Sequence, residues 1–222
     1  MKLHEKHEIF EIEVLDTLKN SRVLDALIFG GGTMLRLCHE MKRFSADLDF
    51  WLRKELSEEQ LLRNMRKALE KTYEVTDAQL KYYTILVEVR SAHFPRRLKI
   101  EIRREVKEWD FEEKIAFSKF STRQVILRAH TLKQTLYNKI AALLDRGEIR
   151  DAFDMEFILR QGIPLPPLPE SQKKKLIRQL NKFKLKDFKV TLGSVLESDI
   201  RDYYVKNQFS FLLQKIENAG TE

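Results

Sequence analysis

Cysteine is almost absent from this chain. The one cysteine, Cys38, excludes an internal disulfide and a cysteine-based metal cluster. Its place in an apolar helical run assigns it to packing rather than to nucleophilic chemistry. Long hydrophobic runs are missing too: none approaches the roughly 20 residues that a membrane span needs. The opening MKLHEKHEIFEIEVL is charged and amphipathic, which is not the pattern of a secretory signal. The expectation is a cytoplasmic protein with no membrane partner. Histidine is scarce, and His4, His7, His39, His93 and His130 show no metal-site spacing. Internal repeats and low-complexity tracts are lacking as well.

What remains is a globular composition. Hydrophobic residues make up 43% of the 222 and charged residues 34%, enough for one large domain or two small ones with real cores. The formal net charge is +7 and the pI near 9.3. Positive charge favours polyanions through counterion release and steering, so RNA or DNA enters as a candidate partner, although charge alone does not decide it.

Glycine is sparse, seven in all, yet three stand together as Gly30-Gly31-Gly32. They lie between the apolar run Leu24 to Phe29, read as the first strand, and a helix from Thr33 that turns Met34, Leu35, Leu37, Cys38 and Met41 inward. Glycine lets backbone N–H groups approach an anion closely, and a helix N-terminus adds partial positive charge. After Arg43 comes Ser45-Ala46-Asp47-Leu48-Asp49-Phe50, polar and apolar by turns. On a strand this pattern points Ser45, Asp47 and Asp49 to one face and Leu48 and Phe50 to the other. Adjacent carboxylates repel, and a hard divalent cation is the usual compensation. A glycine turn for phosphate beside an Asp-x-Asp for Mg²⁺ or Mn²⁺ is half of a phosphoryl- or nucleotidyl-transfer site.

The stretch Gly31-Gly32-Thr33, Arg43, Ser45, Asp47-Leu48-Asp49-Phe50 resembles the nucleotidyltransferase superfamily, and within it the AbiEii/AbiGii toxin family. Further on, Leu98-Lys99-Ile100-Glu101-Ile102-Arg103 alternates cleanly. On such a strand Glu101 matches the third carboxylate that the resemblance implies, either as a metal ligand or as a base; a plain surface glutamate is the alternative. Lys139, Arg146, Arg150, Asp151 and Asp154 match a second signature of the same family. Lys139 would then offset phosphate charge. Asp151 and Asp154, about one helical turn apart, would orient it or deprotonate the acceptor, and which of the two matters stays open. The other reading is a salt-bridge cluster that clamps two helices.

The remaining pattern is mostly helical. Helices are expected over residues 5–19 and 57–71, the second capped by Ser57 with Gln60 at the capping-box position. A strand is expected over Tyr83–Val89, and one or two more within 113–128. From Thr131 the pattern turns helical: 131–145 ended by Gly147, a helix opening at Arg150, and a basic helix over 170–184. That helix offers its lysines either to solvent or to RNA phosphates. One last helix from Ser198 carries Tyr203, Tyr204, Phe209, Phe211, Leu212 and Ile216 as core. Ile163–Pro169 reads as a stiff polyproline spacer, and the final few residues as a frayed end.

These expectations combine into an α+β (α/β) fold, a nucleotidyltransferase-like mixed sheet flanked by helices over 1–129. A helical C-terminal domain over 130–222 is expected to complete the cleft. The resemblance implies a toxin of a bacterial toxin–antitoxin or abortive-infection system. Such a toxin would transfer NMP from an NTP to an acceptor hydroxyl, with RNA, the tRNA 3′ end included, as acceptor and a cognate antitoxin as partner. In that scheme Asp47, Asp49 and Glu101 hold the metal, Gly31, Gly32, Thr33, Arg43, Ser45 and Arg150 hold the nucleotide, and Lys139, Asp151 and Asp154 complete the catalytic set. Two alternatives remain: a non-catalytic RNA- or partner-binding module on the same scaffold, and phosphoryl transfer to an antitoxin protein.

Overall fold

The computed structural model describes residues 2–219, so the expected frayed end lies mostly outside the described residues. The chain divides into two compact units, Met1–Thr131 and Leu132–Glu222.

The first unit is built on one mixed sheet. Helix α1 (Leu3–Asn20) leads in, followed by β1 (Leu27–Gly30), α2 (Gly31–His39), β2 (Asp47–Leu52) and α3 (Glu58–Leu69). Then come β3 (Glu74–Leu80), β4 (Thr84–Arg90), β5 (Leu98–Arg103), β6 (Phe111–Phe117) and β7 (Gln124–His130). The strand order is β3-β4-β5-β2-β1-β7-β6. The pairs β1/β7 and β2/β5 are parallel; the others are antiparallel. Period-2 alternation in β2, β4 and β5 places Leu48, Phe50, Ile85, Val87, Ile100 and Ile102 on a fully buried face. Helices α1, α2 and α3 pack on the sheet. A face of this kind must be covered, because each such side chain contributes about 1.5–3 kcal/mol by leaving water.

Three details depart from the sequence reading. Val23–Ala26 forms a 3₁₀ turn, and the strand begins only at Leu27. Arg22, at φ 61°, makes the tight entry, and Val23 and Leu24 are buried in a turn as well as they would be in a strand. Ser45 precedes β2 rather than lying on it. Strand β3 was not expected: EVTDAQL has few apolar residues, because an edge strand with a register shift between Val75 and Asp77 buries little. The loosely alternating 113–128 segment holds two strands, joined as the antiparallel pair β6/β7.

Charge is buried at the junction of α1 and α2. Glu8 receives the Arg36 guanidinium at 2.9 Å and the Ser118 hydroxyl at 2.6 Å, and Arg36 also donates to the Met41 carbonyl. Arg36 stacks over the Phe44 ring, 4.5 Å from its centroid.

The second unit is helical: α4 (Leu132–Arg146), α5 (Ile149–Arg160), α6 (Glu170–Leu180), a π turn over Asp187–Leu192, α7 (Ser198–Asn207) and α8 (Ser210–Glu217). Gly147, at φ 65°, ends α4 as a left-handed cap. The basic helix stops at Leu180, four residues earlier than its pattern suggested. It buries Leu176 and Leu180 and exposes Lys174, Lys175 and Arg178. The expected last helix is two helices, broken where Gln208 takes φ 50°. Tyr204, Phe209, Leu212 and Ile216 are core. Tyr203 is not: it is 41% exposed, and its hydroxyl accepts from Arg160 at 2.6 Å.

Arg36→Met leaves Glu8 buried without its cation. The expected cost is about 3–5 kcal/mol, read as a fall in the urea midpoint; a midpoint shift below 1 kcal/mol would contradict the buried-pair account.

Candidate active site

The site forms where β1 runs out into α2. Gly30 closes the strand in extended backbone, and Gly31, the first residue of α2, has φ +73°. Residues with side chains rarely take that conformation. Space excludes them as well. A Cβ on Gly31 would collide with the Asp49 carboxylate, and one on Gly32 would collide with the Arg43 guanidinium and lie 2.9 Å from the Ser45 hydroxyl. The two glycines therefore let the turn close against all three side chains. Thr33 fastens the arrangement by donating its hydroxyl to the Asp47 carbonyl at 2.6 Å. Arg43 is buried, 2% exposed, and donates to the Phe44 carbonyl.

Sheet register brings the acids alongside. Gly30 is the partner of Asp49 on the antiparallel side, and Glu101 is its partner on the parallel side. Side chains of register partners project to the same face, so Asp49 and Glu101 are neighbours about 5 Å apart in backbone terms. Asp47 is one pleat earlier on that face and exposed; Asp49 and Glu101 are half-buried. Gly31, Gly32, Thr33, Arg43, Ser45, Asp47, Asp49 and Glu101 are thus one neighbourhood. The carboxylates are not drawn into a cage: among the described residues no group of three His, Cys, Asp or Glu side chains could hold a metal ion.

A layer beneath the acids escaped the sequence reading. His7 and Glu11 on α1 are each 2% exposed. His7 Nε2 lies 2.9 Å from the Ala46 carbonyl, so the ring is the tautomer that donates from Nε2. Burial lowers its pKa, which keeps it neutral. Burial, with Glu8 and Asp47 nearby, raises the Glu11 carboxyl well above its ordinary value. The signal was present in the sequence: Glu8, Glu11, Ile12 and Leu15 share one helical stripe. Cys38 behaves as expected of a packed thiol, its pKa pushed up to about 12 by burial.

In the helical unit, Lys139 lies between two buried carboxylates, 3.0 Å from Asp151 and 2.6 Å from Asp154. Asp151 also accepts a bidentate pair from Arg146, at 2.8 and 2.9 Å. Burial works against ionising Asp151, but the Arg146 hydrogen bonds and the Lys139 charge outweigh it and hold its carboxyl below the usual range. Both aspartates grip the same lysine. Arg150 stands apart from the cluster. It is exposed, pairs with Glu148 at 2.9 Å, and lines a cavity of about 600 Å³ with Gly147, Ile149 and Ser194.

Comparison with known proteins gives this architecture its class. A Helicobacter pylori candidate nucleotidyltransferase superposes with a TM-score of 0.56 at 19% identity, covering 95% of this chain and 96% of that one. JHP933 from Helicobacter pylori superposes with a TM-score of 0.50 at 18% identity, covering 93% and 94%. No curated protein matches. The fold is that of nucleotidyltransferases. Residues 13–219 match the family described as nucleotidyl transferase AbiEii toxin, type IV toxin–antitoxin system, and the chain belongs to that family. Among the described residues no helix is long and apolar enough to cross a membrane.

Gly31→Ala meets both a positive φ and the Asp49 carboxylate, whereas a Cβ on Gly162, also at positive φ, meets open space. Strain of this kind costs about 1–3 kcal/mol, and Gly31→Ala should exceed Gly162→Ala in thermal or urea unfolding; equal shifts would contradict the close packing. For Asp151 the folded pKa lies below the unfolded one. Its contribution is therefore complete above the unfolded pKa, about pH 4, and is lost as pH falls through the folded value. Asp151→Asn should destabilise by about 3 kcal/mol at pH 7 and flatten the acid limb of a stability-against-pH curve. An unchanged acid limb would remove the ionised pair from the account.

Proposed function

We propose that this toxin-family transferase moves NMP from an NTP to an acceptor hydroxyl of RNA, the tRNA 3′ end being the acceptor the resemblance favours, with a divalent cation as cofactor. The observation that carries the reading is the closure of the Gly31–Gly32 turn onto Asp49, Arg43 and Ser45, with Glu101 beside Asp49 in register. N–H groups at the start of α2 are suited to triphosphate oxygens, and Arg43 and Ser45 add donors beside them.

The donor set suits Mg²⁺ or Mn²⁺. Mg²⁺ sites of this kind use one or two carboxylates and complete their shell with substrate phosphates and water rather than a protein cage. Such a shell fits Asp47 and Asp49 on one strand face without a preformed group of three. When bound, the ion supplies charge neutralisation on the phosphates and lowers the pKa of a coordinated hydroxyl. Glu101, beside Asp49 in register, would complete the set or accept the acceptor hydroxyl's proton. The acceptor oxygen bonds to the α-phosphorus as the bond to the β-phosphate oxygen breaks, and pyrophosphate leaves. Lys139 and Arg150 are proposed to offset charge on the substrate's phosphates, with Asp151 and Asp154 orienting Lys139. A cognate antitoxin is the expected protein partner, and the cytoplasm the expected site of action.

Incubation with α-labelled and γ-labelled nucleotides plus total RNA tests the reading. The α-label should enter RNA, and Asp49→Asn should lower that rate at least about a hundredfold with an unchanged unfolding midpoint. A γ-label on protein would instead mean phosphoryl transfer. No transfer of either label would mean a binding module, and full activity in the variant would remove Asp49 from the chemistry.

A further inference from the structure

The acids occupy only part of the polar sheet face. On β5, Lys99 and Arg103 flank Glu101, both are exposed, and register places Lys99 beside Asp47. One strand further, Arg103 is the partner of Thr84, the first residue of β4. Glu88, beside Lys99 on the same face, is already compensated by Arg97 at 2.8 Å and Thr76 at 2.7 Å.

Thr84 opens directly from the β3–β4 hairpin tip. The Lys81 N–H donates to the Thr84 carbonyl at 2.8 Å, which closes a two-residue loop made of Tyr82 and Tyr83. Loops that merely reverse the chain draw on Gly, Asn and Asp. This one instead puts two phenol rings into solvent. Tyr82 is 80% exposed and Tyr83 73%, and the rings meet edge to face with centroids 4.5 Å apart. The tip is held firmly. Arg104 donates from Nη1 to the Lys81 and Tyr82 carbonyls at 2.8 and 3.0 Å, its own N–H donates to the Tyr83 carbonyl, and its guanidinium pairs with Glu58 at 2.7 Å.

We propose that this tip and the Lys99/Arg103 flank form the surface that receives the single-stranded 3′ end of the RNA acceptor. Tyr82 and Tyr83 stack on bases, and Lys81, Lys99 and Arg103 follow the phosphates. Stacking of this kind tolerates any sequence, because every base has a π face. Thr84 is in register with Arg103 and Trp51, two strand spacings across from Asp49 and two residues further along, about 12 Å in all, so a strand that runs from the tip past Arg103 reaches the acids. The choice of RNA over a protein partner rests on charge: the exposed cations on this flank suit a polyanion, as does the net charge of +7. The statement that the bound strand is the acceptor rests on the transfer reading above; the binding itself does not.

The test is fluorescence anisotropy of a fluorescein-labelled single-stranded RNA octamer over a range of salt, with the full chain and no nucleotide. Tyr82→Ala/Tyr83→Ala should weaken binding about tenfold or more while keeping the salt slope. Lys99→Ala/Arg103→Ala should lower the slope of log K against log salt by about 1.4, roughly 0.7 per phosphate contact on a single strand. Both doubles should unfold like the unsubstituted protein. Affinities within twofold of the unsubstituted protein for both doubles would overturn the proposal and leave the tyrosines to a protein partner. Absence of octamer binding by the unsubstituted protein would overturn it as well. Because the readout needs no turnover, failed transfer with intact, tyrosine-dependent binding would sink the catalytic reading and not this one.

Discussion

Contact between a glycine turn and one carboxylate organises the sheet unit. Gly31 takes a positive φ so that α2 can leave β1 with its backbone pressed on Asp49, and Gly32, in ordinary helical backbone, lies as close to Arg43 and Ser45. Everything nearby is arranged around that approach. Thr33 ties the first turn of α2 to the start of β2, and register places Glu101 on the other side of Asp49. The result is a positive helix end set against the Asp49 carboxylate, with Asp47 and Glu101 on the same sheet face. A polyanion and a cation bound together would satisfy both.

Buried charge beneath the site holds this arrangement in place. The Glu8–Arg36 pair, with Ser118 and the Met41 carbonyl, joins α1 to α2. His7 joins α1 to the Ala46 carbonyl, one residue before the strand that bears the acids. Removing charge from water is costly unless every partner is supplied, so these contacts specify one packing of α1 against the β2 approach. In the helical unit, Lys139, Asp151, Asp154 and Arg146 balance two cations against two anions, with the aspartates fully buried. Either half, removed alone, leaves an uncompensated charge. Loss of function in a Lys139 variant therefore has to be read together with its stability.

Much of the sheet unit was legible because strands buried on one face advertise their period. Leu48, Phe50, Leu98, Ile100 and Ile102 alternate with Asp47, Asp49, Lys99, Glu101 and Arg103, and the structure places them on opposite faces. What was not legible has physical causes. An edge strand such as β3 buries too little to leave a pattern. A 3₁₀ turn and a strand bury Val23 and Leu24 equally well. The break at Gln208 requires a positive φ from a residue with no special preference for it. Charged residues within an apolar stripe, as at Glu8 and Glu11, read as imperfect amphipathicity until their partners on distant segments are known. The clamp on Lys139 was legible as a composition of charges, but its geometry, with both aspartates on one ammonium, depends on how α4 and α5 pack.

The central claim is that Gly31–Thr33 and Asp47–Asp49 grip one metal–triphosphate complex. The most direct measurement is an anomalous-scattering map from crystals soaked with Mn²⁺ and a non-hydrolysable NTP analogue. The account predicts a manganese peak coordinated by Asp47 and Asp49, with phosphate oxygens on the N–H groups of the glycine turn. A well-ordered triphosphate bound away from that turn, or manganese coordinated elsewhere, would contradict it.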